Sequence, residues 1–237
     1  MFGATRFSGT GQYFERTTNV PESVTFTMMC WASVTTHAGL NHTVLALAGD
    51  ASNYYWLQSR SGAVWGLFNG TTLTTGSAML ETLWYHLAMV VDGTGTGNFR
   101  LYVNGIQDIS MAAKSLTATE IKIAASTNEG NLLNGRIAGV KIWEDALTPD
   151  EITKEYRQIA PVRLHNLNSF YPCGAYGARD FSGRGYRLAI TGSPTIEGGP
   201  PVPWIAQPTS RRVKAAAAGG AGAAKPRMMR LALLGVH

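Results

Sequence analysis

Trp84-Tyr85-His86-Leu87-Ala88-Met89-Val90-Val91-Asp92-Gly93, continued by Phe99-Arg100-Leu101-Tyr102-Val103-Asn104-Gly105, is the stretch on which the reading of this chain turns. Both runs are apolar and β-prone, so each predicts a strand, the two antiparallel. The glycines at 93, 95 and 97 predict a loop between them. Asn104-Gly105 supplies two adjacent residues that tolerate positive φ, which a two-residue hairpin turn requires, so the chain should reverse again after Val103. Residues 84–91 are apolar on both faces, the pattern of an inner strand covered on each side.

Working outward, residues 26–34 place Phe26, Met28, Cys30, Ala32 and Val34 on one strand face and Trp31 on the other. Further strands are predicted at 43–47, 54–58, 64–68, 122–125 and 136–143, separated by Gly, Asn, Ser or Thr clusters at intervals typical of sandwiches. One helix is expected at 148–159. Thr148 is its N-cap, Pro149 its first residue and Glu151 its capping-box partner, while Ile152, Tyr156 and Ile159 form one apolar stripe.

Several of these segments, in this order, carry a family resemblance. Ala4-Thr5-Arg6-Phe7-Ser8-Gly9 is similar to a first strand. Leu133-Asn134-Gly135-Arg136-Ile137-Ala138-Gly139-Val140-Lys141-Ile142-Trp143, with Ala146-Leu147-Thr148-Pro149-Asp150-Glu151-Ile152, resembles a late strand and helix. Ala178-Arg179-Asp180-Phe181-Ser182-Gly183-Arg184-Gly185 resembles an Asp-x-Ser-Gly-x-Gly segment that leads into an edge strand, here 186–191. Together they resemble the laminin G-like, concanavalin A-like lectin jelly rolls. The resemblance implies an all-β, concanavalin A-like (laminin G-like) jelly-roll sandwich of two antiparallel sheets with one short helix. It covers residues 1–197. Residues 198–237 are then a Pro/Ala/Gly-rich C-terminal tail, entered through Gly198-Gly199-Pro200-Pro201-Val202-Pro203.

Charge divides the same way. Residues 1–197 hold 14 Lys/Arg and 15 Asp/Glu, whereas the tail holds Arg211, Arg212, Lys214, Lys225, Arg227 and Arg230 and no acid, so the net +5 belongs to the tail. Those bases, with Leu231, Leu233 and Leu234, are the candidate partner-binding residues. A protein partner is favoured over nucleic acid because no aromatic interleaving marks a stacking platform. No apolar run reaches the ~20 residues of a membrane span, and the N-terminus lacks a basic segment followed by an apolar stretch, so no signal peptide is expected. Cys30 and Cys173 are too few for a disulfide framework, and nothing in their surroundings argues for one bridge between them.

Catalysis is disfavoured. Glycosidases of such folds need two carboxylates on one sheet face, yet no two acids of this chain stand two residues apart and no Glu-x-Asp-x-Glu run occurs. Gly-x-Ser-x-Gly is missing too. His86 reads as a packed strand histidine. No cofactor and no metal site is expected; Asp50 and Asp92 are the nameable calcium candidates, and both read better as solvated turn acids. A sugar site needs aromatics beside amides or hydroxyls, and Tyr54, Trp56, Trp65 and Asn69 supply those types in one stretch. Alternation puts Tyr54 and Trp56 on one face and Tyr55 on the other.

The resemblance implies a binding protein of glycans or proteins. A jelly roll that works outside cells, without an export signal and with a basic tail, fits a non-enzymatic phage virion protein of decoration or fibre type. Its tail would dock on other virion proteins in an oligomeric assembly, with cell-surface glycans as further partners. The alternative is a carbohydrate-binding accessory domain of a bacterial surface protein or enzyme.

Overall fold

The computed structural model describes residues 3–21, 24–37, 39–49 and 53–204. Two antiparallel sheets face each other. The strands are β1 (Gly3–Ser8), β2 (Tyr13–Arg16), β3 (Thr25–Val34), β4 (His42–Ala48), β5 (Tyr54–Arg60), β6 (Val64–Phe68), β7 (Leu73–Ala78), β8 (Tyr85–Asp92), β9 (Gly95–Val103), β10 (Ile106–Ala113), β11 (Glu120–Ile123), β12 (Asn134–Trp143), β13 (Leu167–Tyr171), β14 (Ala189–Thr191) and β15 (Thr195–Gly198). The first sheet runs β10-β9-β8-β3-β12-β1-β15, with β13 also on β12; the second runs β14-β2-β11-β4-β5-β6-β7.

The hairpin closes as the Asn-Gly pair predicts: Asn104 and Gly105 have φ of +53° and +84°, and Val103 faces Ile106. Asn104 Oδ1 also accepts the His86 amide at 2.9 Å, tying the turn to β8. The loop before it is shorter than the glycines imply. Gly95 and Gly97 lie inside β9, at φ of +121° and +79°, where the ladder to β10 is irregular between Met111 and Ala113.

Alternation assigns the core. Phe26, Met28, Cys30, Ala32 and Val34 of β3 point between the sheets with Leu87, Met89 and Val91 of β8 and Leu45, Leu47, Tyr55, Leu57 and Trp65 of the second sheet. The other face of β3, β8 and β12 builds a second apolar layer, Met29, Trp31, Ala88, Val90, Ala138 and Trp143, under the helix residue Ile152 and under Ile159. The inner strands are therefore covered on both sides, as their sequences predict.

The helix α1 (Pro149–Tyr156) opens with both halves of the capping box: Glu151 N donates to Thr148 Oγ1 at 3.3 Å, and Thr148 N donates to Glu151 Oε2 at 2.9 Å. It stops three residues short of Ile159. Lys141 Nζ, rising from β12, takes the carbonyls of Glu155 (3.2 Å) and Gln158 (3.1 Å) as well as the Glu155 carboxylate (2.6 Å). That grip consumes carbonyls at the helix end, and Ile159 reaches the second layer from the turn that follows.

The packed unit also extends past the Pro/Gly-rich stretch at 198–203. Trp204 stacks on Phe170 at 5.8 Å, and the Pro203 carbonyl accepts the Ile159 amide at 3.3 Å. The tail candidates Arg211, Arg212, Lys214, Lys225, Arg227, Arg230, Leu231, Leu233 and Leu234 lie outside the described residues. Cys30 and Cys173 are both free thiols, fully buried. Burial pushes Cys173 up to about 12 and Cys30 well above its ordinary value, so neither supplies a thiolate.

Candidate functional site

Among the described residues no helix covers the outer face of the second sheet, and its register builds a cleft. On β4, Ala46 lies between Trp56 of β5 and Lys122 of β11, and Ala48 lies between Tyr54 and Glu120. Two alanines leave a low floor between an aromatic wall and a charged one. Tyr54 and Trp56 stack at 4.4 Å and 20°, and Phe68 of β6, opposite Trp56, packs within 5.6 Å of both rings. The resulting cleft has a volume of about 290 Å³ and is lined by Tyr54, Trp56, Glu120, Thr127 and Asn128 with Ala48 at its base.

The polar wall is held in place from below. Lys122, only 4% exposed, bonds Glu129 at 2.9 Å and the Thr127 carbonyl at 3.2 Å, and lies 3.3 Å from Glu120 Oε1. Burial lowers the Lys122 pKa, but the bonds to Glu129 and Glu120 outweigh it and the net shift is upward. The amine therefore stays charged. Glu129 is held below its ordinary value, first by the Lys122 bond and then by a bond with Tyr13. Asn128 Oδ1 is spent inside its own turn, accepting from Ser126 Oγ (2.6 Å) and Gly130 N (3.2 Å). Among the described residues, Asn128 Nδ2 and Glu120 Oε2 make no hydrogen bond, so an amide donor and a carboxylate acceptor face the cleft beside two aromatic rings.

Of the four aromatic and amide residues expected at a sugar site, Tyr54 and Trp56 line this cleft and the other two do not. Trp65 pairs with Ser59, in phase with the inward-facing Tyr55 and Leu57, and is fully buried edge-on to Tyr85 at 5.4 Å. It is a core residue. Asn69 is 3% exposed and caps the β6–β7 turn: Oδ1 accepts from the amides of Thr71 (3.2 Å) and Thr72 (2.8 Å), and Nδ2 donates to the Ala112 carbonyl (2.9 Å). Its bonds are used up in holding the turn. Glu120, Thr127 and Asn128 complete the lining of the cleft, and the sequence does not reveal them because β11 lies more than seventy residues from the β4 strand it joins.

His86 sits under the helix rather than in any cleft, 5.5 Å from Trp31 and 5.7 Å from Tyr156, with both ring nitrogens unpartnered. Burial, reinforced by the Lys141 ammonium, holds it well below the ordinary histidine value. Asp92 is paired with Arg100 at 3.1 Å, and Asp50 lies outside the described residues. Among the described residues no three metal-ligating side chains come together, and no helix is long and apolar enough to cross a membrane.

Two facing antiparallel sheets, one helix on the back and an open aromatic cleft on the front define a lectin-like jelly-roll module. Residues 8–153 match a laminin G-like family model described as the concanavalin A-like lectin/glucanases superfamily, and the chain belongs to that family. No curated protein matches it in sequence. Among solved structures, it is similar to a putative carbohydrate-binding protein from Bacteroides ovatus (TM-score 0.65, 17% identity, 86% of this chain and 62% of that one). It is also similar to the native heptameric SAP-like pentraxin from Limulus polyphemus (TM-score 0.58, 13% identity, 82% of this chain and 94% of that one). Part of a Trypanosoma rangeli sialidase in complex with sialic acid resembles it too (TM-score 0.53, 12% identity, 65% of this chain and 27% of that one). The chain spans 62% of the Bacteroides protein, and at these identities the likeness is one of fold.

Proposed function

We propose that this chain is a non-catalytic carbohydrate-binding module whose site is the cleft between Tyr54, Trp56 and the Glu120–Asn128 wall. The observation that carries the reading is the juxtaposition itself. A ring-sized trough offers an apolar aromatic wall to the C–H face of a sugar and an unspent amide and carboxylate to its hydroxyls. Glu120 is the single carboxylate among the lining residues, where hydrolysis calls for a pair. The carbohydrate-binding title of the Bacteroides relative supports this by analogy of fold. A glycan array followed by calorimetric titration tests it: a binding glycan should lose affinity in both Tyr54→Ala and Asn128→Ala. A glycan that binds both variants as well as the parent places binding elsewhere.

The tail supports a second, compatible reading. Its six bases without an acid, on a body that is electrostatically near neutral, favour a docking arm for an acidic protein surface. A decoration or fibre-type protein of a phage particle, presenting the cleft outward, fits that division. Truncation after Gln207 keeps Trp204 in its packing site and should leave a folded, glycan-binding body that no longer joins its particle. A truncated chain that still copurifies with particles, by mass spectrometry, removes the tail from that role.

A further inference from the structure

Between β13 and β14 the chain carries three arginines, Arg179, Arg184 and Arg187, against one acid, Asp180. Asp180 forms an ion pair with none of them. Its Oδ1 accepts from the amides of Phe170 (3.0 Å) and Ser182 (2.9 Å), and its Oδ2 accepts from Ser182 Oγ (2.8 Å) and the Tyr186 amide (2.9 Å). All its acceptor directions are used to fold the loop. Arg184 lies 3.9 Å from Glu144. Arg179 and Arg187 have neither an ion pair nor a side-chain hydrogen bond among the described residues; the Arg179 guanidinium lies 5.3 Å over the Phe181 ring.

These two arginines flank an open cleft of about 610 Å³, lined by Tyr176, Asp180, Gly183 and Gly185 besides themselves. Gly183 and Gly185 have φ of +92° and +77°, and nothing lies within 4 Å of where a Cβ would sit, so the rim is low and a ligand can reach backbone. Tyr176 and Phe181, 49% and 40% exposed, meet edge-on at 5.0 Å beside it. Guanidinium forks without an ion pair match the two or three oxygens of a carboxylate or sulfate, and the half-exposed Tyr176 beside them, stacked on Trp204 at 6.2 Å, adds an aromatic rim for apolar contact with a sugar.

We propose that the Arg179–Arg187 cleft is a second saccharide site, selective for an acidic sugar carrying a carboxylate or a sulfate ester. It leads into β14, three strands across the sheet from the β4 floor of the Tyr54–Trp56 cleft, and it stands or falls without that site. The size of the cleft and its aromatic rim favour a sugar over a protein surface, and three arginines fall short of the four to eight basic residues of a lipid-binding patch.

The test is an NMR titration of the full-length chain with a uronate-containing disaccharide, the methyl ester of that disaccharide, and a sulfated disaccharide. The amides of Gly183 and Gly185 should shift with one or both anions and stay put with the ester; which anion acts separates the two charge types. R179A/R187A should weaken binding by about tenfold or more, whereas R211A/R212A, which removes the same charge from the tail, should not. The amide spectrum of each variant reports its fold. Equal loss in the two double variants, equal binding of the ester, or shifts confined to other residues would overturn the proposal.

Discussion

The two outer faces of the sandwich are built from the same alternation and end up opposite in character. Behind the first sheet, Trp31, His86 and Lys141 are roofed by α1 and made inaccessible; on the second, Tyr54, Trp56 and Phe68 stand beside an alanine floor and, among the described residues, no helix packs over them. The difference comes from what the next segment of chain supplies. The sequence after β12 contains a capped amphipathic helix with Glu155 placed to receive a buried lysine, while the turns after β5 and β6 are short and polar. A roofed face stores stability, and the proposed binding cleft lies on the other.

The comparison can be broken most severely at the roof. Lys141 and Glu155, 1% and 0% exposed, form a 2.6 Å pair, and Glu155 Oε1 also accepts the amides of Val162 and Arg163. Glu155→Ala should cost about 3–5 kcal/mol in urea unfolding, because it leaves a buried cation unpaired, while Lys141→Met with Glu155→Leu should cost far less. If the single and double variants are equally destabilised, lost packing rather than charge explains the roof.

Next comes acidity. His86 is held neutral in the fold, since its pKa there is depressed by burial and by Lys141, whereas the unfolded chain protonates it near pH 6.5. Its contribution is therefore present above that pH and is lost as pH falls below it, by up to about 1.4 kcal/mol per pH unit while only the unfolded state takes the proton. Urea midpoints at pH 7.5 and 5.5 should differ by less in His86→Phe than in the parent. An unchanged difference would mean that other groups govern the acid response.

The open face should behave in the reverse way. Tyr54→Ala is expected to weaken glycan binding roughly tenfold through loss of the stacking surface, while moving stability by less than about 1 kcal/mol. Trp65→Ala, eleven residues further along the same sheet but on its inner side, should destabilise by about 3–5 kcal/mol through the cavity it leaves. A Tyr54 variant that unfolded as readily as the Trp65 variant would show that the cleft wall is core. Smallest of all, Asn104→Gly should change stability in urea unfolding by about 1 kcal/mol or less. Glycine accepts the positive φ and forfeits only the bond to the His86 amide.

Much of this was legible from residue order. The capping box at Thr148–Glu151, the Asn104-Gly105 turn and the two-sided apolar strands around Met29 and Ala88 each have a local cause, and each stands in the structure. What escaped depends on register. Trp65 and Tyr54 look alike in sequence, yet pairing with Ser59 turns Trp65 inward. Edge strands such as β7, Leu-Thr-Thr-Gly-Ser-Ala, bury no side chain and carry no periodic signal. Gly95 and Gly97 read as loop because a glycine-tolerant strand with a distorted ladder has no distinguishing composition. The polar wall of the cleft was invisible for the same reason: Glu120 and Asn128 become neighbours of Tyr54 through strands far apart in the chain.

The place of β1 has a consequence for synthesis. Thr5 faces Ile137 on one side and Ile196 on the other, so β1 is completed by partners emerging about 130 and 190 residues later. At about 5–20 residues per second, a ribosome leaves its edges unpaired for roughly 7–40 s. During that interval the nascent chain presents a bare β-edge, and the early strand β3 likewise waits for β12. Fragments that end before residue 134 are accordingly not smaller versions of this domain but half-sheets seeking a mate, in another copy of themselves or in a chaperone.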